Sequence, residues 1–154
     1  MKLLALLPAL LVLARQEGEA LYTDEEKGFS IPVPAGWAVT HSADRSRYLV
    51  LRAPASPRTG STLILAVQDP MKAVTDGTVT LDGFLEEVKK QYPRKFTDYE
   101  FVKAEKGKDG DGNLTLAISY RYTSGGNKIG QYQHLVWTRT AHWSLSWGCL
   151  DEAF

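Results

Sequence analysis

Near its start the chain reads Tyr22-Thr-Asp-Glu-Glu-Lys-Gly-Phe29-Ser-Ile-Pro-Val33-Pro-Ala-Gly-Trp37. Within this stretch, three apolar residues, at 29, 31 and 33, alternate with serine or proline. An apolar residue at every second position predicts a strand over 29–33 that buries one of its faces. Proline and glycine then turn the chain, and Trp37 follows as a candidate core residue. The stretch therefore predicts that a folded domain with a β-strand begins here.

Further strands are predicted along the rest of the chain. The apolar and β-branched runs that indicate them cover residues 37–40, 47–52, 62–68, 99–105, 113–122, 130–138 and 141–149. Ser124-Gly-Gly-Asn127 has the composition of a tight hairpin turn between two of these runs. The last four strands are therefore expected to form an antiparallel meander.

One segment has a clear helical pattern. Thr80 is a good N-cap residue, and the apolar residues that follow it recur at helical spacing: Leu81, Phe84, Leu85, Val88 and Tyr92. A proline disfavours helical geometry at the residue before it, so Pro93 predicts the end of this helix. The strands and the helix together predict an α+β fold in which helices flank a central antiparallel sheet.

Composition limits the classes of function. The chain has 154 residues, which suits a single domain, and 44% of them are hydrophobic. Eighteen basic residues balance 18 acidic ones, so the formal net charge is zero. A neutral chain has no overall field to attract nucleic acid or an anionic membrane.

The N-terminal residues have the pattern of a secretory signal. Lys2 precedes an apolar run over residues 3–14 that is too short to span a bilayer, and small residues follow it. We predict a signal peptide over residues 1–20, a mature domain over 21–154, and export to the periplasm or the cell exterior. The alternative is a buried N-terminal helix, which Pro8 disfavours.

The opening stretch and the order of elements after it resemble the PsbP-like family. The residues that carry the resemblance are the acidic lead-in before Gly28-Phe29-Ser30, the turn Pro34-Ala-Gly36-Trp37, the helix start at Thr80 and the strand pair 96–102 and 120–122. The resemblance covers residues 21–154. It implies a central antiparallel sheet between helical layers, an α/β/α sandwich. It also implies an accessory role, because the family includes an extrinsic subunit of photosystem II and many secreted bacterial proteins. Association with a photosystem rests on this analogy alone.

The end of the sequence departs from the family pattern. Asp151 is a plausible N-cap with Glu152 in the first turn, but the family's final helix is missing. We interpret this as a truncated chain, and the alternative is a sheet with one uncovered apolar face.

No residue pattern predicts catalysis or a cofactor. The chain lacks a Gly-x-Ser-x-Gly elbow, and its glycine-rich segment 107–112 precedes a strand, where a phosphate-binding loop would precede a helix. Asp109-Gly-Asp-Gly-Asn113 begins like a calcium loop but lacks the required glycine and glutamate, which indicates a hairpin turn. We therefore predict a protein that is not an enzyme.

Two histidines and one cysteine are candidate reactive groups. His134 and His142 are expected on paired strands and are weak metal-ligand candidates, because a closed zinc site needs four ligands. Cys149, the single cysteine, cannot form a disulfide within the chain and is expected to be a buried core residue.

The four tryptophans are the main binding candidates. They are Trp37, Trp137, Trp143 and Trp147, and the last two should share one face of the final strand. Aromatic residues anchor interfaces, so an exposed part of this set would be the surface that contacts a partner. Our first hypothesis is an exported, non-enzymatic binding module that docks on a protein complex or envelope component. The alternative is a carrier of an apolar small molecule, with its pocket between helix 81–92 and the sheet.

Overall fold

The computed structural model describes residues 20–26, 28–41, 48–54, 62–68 and 72–154. The strands within these ranges are β1 (Ala20–Asp24), β2 (Phe29–Val33), β3 (Ala38–His41), β4 (Tyr48–Arg52), β5 (Thr62–Gln68), β6 (Thr97–Lys108), β7 (Leu114–Ser124), β8 (Asn127–Trp137) and β9 (His142–Leu150). The helices are α1 (Lys72–Thr75) and α2 (Leu81–Lys95), and a 3₁₀ turn covers Asp151–Ala153. The strand predictions are thus confirmed within a few residues. Residues 1–19 of the predicted signal peptide lie outside the described residues, and Ala20, its predicted last residue, is the first residue of β1.

Seven of the strands form one antiparallel sheet. Its order is β3-β4-β5-β9-β8-β7-β6, while β1 and β2 pair only with each other. The meander from β6 to β9 is confirmed, and β9 also pairs with β5 to join the two halves of the sheet. Gly125 and Gly126 form the β7–β8 turn with φ of +57° and +80°, which suits a two-residue hairpin.

The β1–β2 hairpin covers part of one face of the sheet, which we call the hairpin face. Ile31 and Val33 pack with sheet residues that include Leu51, Val136 and Trp143. The ring of Phe29 meets the indole of Trp143 edge-on at 5.5 Å. The strand predicted from the opening stretch therefore buries its apolar face as expected.

Helix α2 covers part of the opposite face, which we call the helix face. Leu85 and Val88 pack on Leu116, Ile118 and other sheet residues, and α1 adds Val74 to the same cluster. These contacts bury the apolar stripe predicted from helical spacing, and apolar burial of this kind is the main stabilising term for an amphipathic helix.

The start of α2 agrees with the prediction and its end does not. Thr80 caps the helix, since its Oγ1 accepts the Gly83 N–H at 3.1 Å. The helix runs through Pro93 to Lys95, so the predicted end at Pro93 was wrong. Proline removes one hydrogen bond, but Tyr92 and Phe96 on either side both pack on Tyr120, and this packing holds the last turn in place.

The predicted α/β/α sandwich is not confirmed. In the described part of the chain, α1 and α2 both pack on the helix face, and the hairpin face is covered by two strands and a single 3₁₀ turn. The molecule is therefore sheet-dominated. No helix in the described ranges is long and apolar enough to cross a membrane.

Candidate functional site

The four tryptophans do not form one exposed face. Trp137 lies on the helix face, 1% exposed, with its indole stacked on the His142 ring at 5.0 Å. Trp143 lies on the hairpin face and is 9% exposed, and Trp37 packs against the same core from the loop after β2. Adjacent strand residues point to opposite faces, which separates Trp137 and its register partner His142 from Trp143. Only Trp147 is left outside both core clusters.

Trp147 belongs to a partly exposed group of rings on the hairpin face, which we call the aromatic patch: Tyr132, His134, Trp147 and Phe154. Tyr132 and Trp147 are register partners on β8 and β9. The Tyr132 and His134 rings stack at 6.4 Å, and the Trp147 and Phe154 rings lie 6.2 Å apart. Trp143 and Trp147 share a face, as predicted, but only the second reaches the patch.

The C-terminal turn holds Phe154 in the patch. Arg121 Nε donates to Asp151 Oδ1 at 2.5 Å, and the Arg121 guanidinium lies 5.8 Å from the centre of the Phe154 ring. Gly130 lies directly beneath, where an added Cβ would come within 2.1 Å of the Phe154 ring. Asp151 is not the predicted N-cap but the first residue of the 3₁₀ turn, and Leu150 holds the N-cap position without a side-chain bond. The Asp151 carboxylate binds Arg121 instead.

The two histidines predicted as weak metal ligands lie on opposite faces. His134 pairs with Leu145 on the hairpin face, and its Nδ1 lies 3.4 Å from the Tyr132 hydroxyl. His142 is 6% exposed on the helix face, and neither of its ring nitrogens has a hydrogen-bond partner among the described residues. Burial lowers the pKa of both imidazoles. No group of three or more metal-ligating side chains occurs in the described part of the chain.

The turn that resembles a calcium loop is held by its own hydrogen bonds. Asp109 Oδ1 accepts the N–H groups of Asp111 and Asn113, and Oδ2 accepts the Asn113 side-chain amide. These bonds use the carboxylate oxygens within the turn between β6 and β7, so the prediction of a hairpin turn is confirmed.

A groove that the sequence did not predict lies on the helix face, beside the C-terminal end of α2. Its volume is about 310 Å³, and it is lined by Thr62, Ile64, Tyr122, Ser124, Ile129, Gln131, Ser146, Gly148, Cys149 and Leu150. The space between α2 and the sheet, where an apolar pocket was the alternative prediction, holds the packed side chains of the core, among them Phe84, Tyr92 and Phe96. No sequence signal marks the groove, because its residues come from four strands.

Cys149 borders this groove on β9, but its register partner is Gly130, so its side chain lies on the hairpin face. It is 2% exposed, so the prediction of a buried cysteine is confirmed. Desolvation raises the pKa of its thiol, and the nearby Asp151 carboxylate adds to this effect. A higher pKa reduces the thiolate fraction, which makes the thiol less nucleophilic.

No protein-family model and no curated protein matches this sequence. Among solved structures, the chain is similar to the cyanobacterial PsbP protein CyanoP of Synechocystis, with a TM-score of 0.65, 16% identity and coverage of 88% of this chain and 82% of that one. It is also similar to PA94 of Pseudomonas aeruginosa, a protein of unknown function described as a candidate regulator, with a TM-score of 0.57, 13% identity and coverage of 88% and 85%. At these identities the comparison concerns the fold: the chain has a PsbP-like fold.

Proposed function

We propose that this protein is an exported, non-enzymatic binding or accessory module that docks on a protein complex or an envelope component. The observation that carries the proposal is the aromatic patch. Three of its members, Tyr132, His134 and Trp147, belong to neither core cluster, and Phe154 is 37% exposed beside them. Clustered aromatic side chains at a surface supply large contact areas, and they are the residues that most often dominate protein interfaces.

The surroundings of the patch suit a protein partner. Lys103 and Glu105 pair at 3.1 Å on β6, one strand beyond the β7 neighbour of the patch, and both act on the pKa of Tyr132. Arg121 binds Asp151 on the side of the C-terminal turn. The patch is therefore bordered by charges of both signs, which is the arrangement of an apolar centre with a polar rim.

Export is the second part of the proposal, and it is supported by the sequence of residues 1–20 alone. Determination of the N-terminus of the protein recovered from its own host tests it. A mature chain that begins near Leu21 supports export, and an intact Met1 in a cell-interior fraction contradicts it.

Crosslinking capture from a host envelope extract tests docking. The baits are residues 21–154 as wild type, as Trp147→Ala, and as a control, Val102→Ala, which truncates another exposed apolar side chain. We expect one dominant partner that the wild type and the control both capture and that Trp147→Ala loses. Equal capture by all three baits, with the variants shown to be folded, would exclude the aromatic patch as the docking surface.

A further inference from the structure

We infer that the groove on the helix face is a binding site for a small, neutral, polyhydroxylated ligand, namely a sugar of one or two rings. The groove and the aromatic patch lie on opposite faces of the sheet, so this site is separate from the proposed docking surface. The inference rests on the shape of the groove floor, on unused hydrogen-bonding groups and on the absence of charge in the lining.

Gly148 forms part of the floor. It lies in the middle of the sheet between its register partners Thr62 and Gln131, where a glycine weakens a strand and gains nothing from packing. An added Cβ would make only ordinary contacts, at 3.5 Å from Gln131 Oε1. The backbone therefore tolerates a side chain here, and the missing side chain leaves the floor of the groove open. A glycine in a strand commonly marks such a close approach of a ligand.

Gly130, by contrast, is a glycine that the packing of a neighbouring side chain requires. It lies on the neighbouring strand and on the opposite face, and a Cβ there would overlap the ring of Phe154. The space above Gly130 is filled by this protein's own side chain. The space above Gly148 is the groove.

The groove also holds hydrogen-bonding groups that the fold does not use. Gln131 Oε1 accepts the Tyr122 hydroxyl at 3.1 Å, which orients the amide, and no bond within the described part of the chain uses its NH₂ group. Gln133, two residues on, is different: its Oε1 accepts the Tyr92 hydroxyl and its Nε2 donates to Ser144 Oγ. Gln133 is therefore structural, and Gln131 has two N–H donors available to a ligand.

Hydroxyl groups complete the polar lining. Thr62, Ser124 and Ser146 line the groove. The hydrogen bonds between described side chains include none of their hydroxyls. A hydroxyl both donates and accepts, so this set matches a ligand that is itself rich in hydroxyls. The remaining lining is apolar, with Ile64, Ile129 and the Tyr122 ring among it, and it can cover the C–H face of a sugar ring.

The lining contains no charged side chain among its ten residues. A phosphate or carboxylate ligand would lose its hydration without gaining an ion pair from these ten side chains, which disfavours anionic ligands. The volume of about 310 Å³ is at the lower end of the range for ligand sites, about 300–1,000 Å³, which limits the ligand to one or two rings.

Titration of ¹⁵N-labelled protein, residues 21–154, with glucose, N-acetylglucosamine, maltose and cellobiose tests the inference by amide chemical shifts. We expect at least one sugar to give saturable shifts at the groove residues, with a dissociation constant below about 10 mM, and sodium phosphate to give none there. Gly148→Val fills the floor and should weaken binding at least about tenfold. Gly110→Val, in the open β6–β7 turn, is the matched control and should bind as the wild type does.

A second variant keeps the test decisive if Gly148→Val does not fold. Gln131→Leu has similar volume and removes the amide, and it should also weaken binding by about tenfold. Absence of saturable shifts with all four sugars would overturn the inference. So would sugar binding that both groove variants retain. Because the aromatic patch is untouched, either result leaves the capture experiment with Trp147→Ala unaffected.

Discussion

Helix α2 and the β1–β2 hairpin cover the sheet in different places. The helix closes one face over β6, β7 and β8 with a network of rings, in which Tyr92 and Phe96 both contact Tyr120. The hairpin closes the opposite face mainly over β4, β5 and β9, with aliphatic side chains and Trp143. Neither the helix nor the hairpin is large enough to cover all seven strands of its face. Each face therefore keeps an open part, with the groove on the helix face and the aromatic patch on the hairpin face.

The comparison of helix α2 with the β1–β2 hairpin shows that residue type alone does not decide whether an aromatic ring is buried in the core. Trp137 and Trp147 are both on strands of the meander. Trp137 is the last residue of β8, and Trp147 lies in the second half of β9. Trp137 is buried because α2 brings Phe84 to 5.1 Å from it. Trp147 has only the C-terminal turn beside it, and it remains at the surface. What differs is the element opposite each side chain.

The largest expected effect is the loss of the covered tryptophan. Trp137→Ala should lower the free energy of unfolding by about 3–5 kcal/mol, because it leaves a cavity under α2. Trp147→Ala should cost about 1 kcal/mol or less, because the indole is already partly solvated. Urea unfolding followed by far-UV circular dichroism measures both. Equal losses for the two variants would contradict the distinction between covered and open rings.

Acid should destabilise the protein through two desolvated imidazoles, that of the buried His142 and that of the half-buried His134. Burial lowers the pKa of His134 and of His142, so the unfolded chain takes up protons at a higher pH than the folded one. Stability is therefore complete above the unfolded pKa of about 6.5 and falls as the pH drops toward the folded values. Each histidine contributes a slope of at most about 1.4 kcal/mol per pH unit. Thermal unfolding between pH 7.5 and 5 measures this.

Single variants separate the two histidines. His142→Phe keeps a ring stacked on Trp137 and removes the titrating group from the covered side, so it should flatten part of the pH dependence. His134→Phe is the matched change in the aromatic patch and should remove the other part. An unchanged pH profile in His142→Phe would show that the helix face stays open enough to hydrate a charged imidazole.

Much of the fold could be predicted because it depends on local patterns. The alternation at 29–33, the Gly125-Gly126 turn and the Thr80 cap each act within a few residues, and the structure agrees with all three. Where local rules failed, tertiary contacts decided the outcome. Pro93 does not end α2, because the contacts of Tyr92 and Phe96 with Tyr120 stabilise the last turn.

The candidate sites were less predictable, because faces and covers are properties of the whole sheet. Alternation placed Trp143 and Trp147 on one face, but nothing in the sequence said that the hairpin would cover only the first. The two histidines looked close on paired strands, yet the register of β8 and β9 puts them on opposite faces. The groove depends on Gly148 lying beside Gln131, which only the register shows.

A smaller effect is expected at the start of the covering helix. Thr80→Ala removes the acceptor of the Gly83 N–H, and loss of an N-cap of this kind costs about 1 kcal/mol. Thr80→Ser retains the acceptor and should be close to wild type. The midpoint of urea unfolding measures both. If Thr80→Ala left the midpoint unchanged, α2 would be held by packing alone.

The smallest expected effect concerns the open face. Asp151→Asn weakens the bond from Arg121, and an ion pair as exposed as this one contributes about 1 kcal/mol or less to stability. The turn that carries Phe154 should nevertheless loosen, since Arg121 also holds the Phe154 ring. We expect faster amide exchange at residues 151–154 and increased solvent access to Trp147, measured by acrylamide quenching. Glu100→Gln, which removes the other carboxylate near Arg121 at 3.6 Å, is the matched control and should leave the turn in place. If the two variants behaved alike, the packing of Phe154 on Gly130 would hold the turn without the Arg121–Asp151 bond. The aromatic patch would then keep its arrangement when that bond is lost.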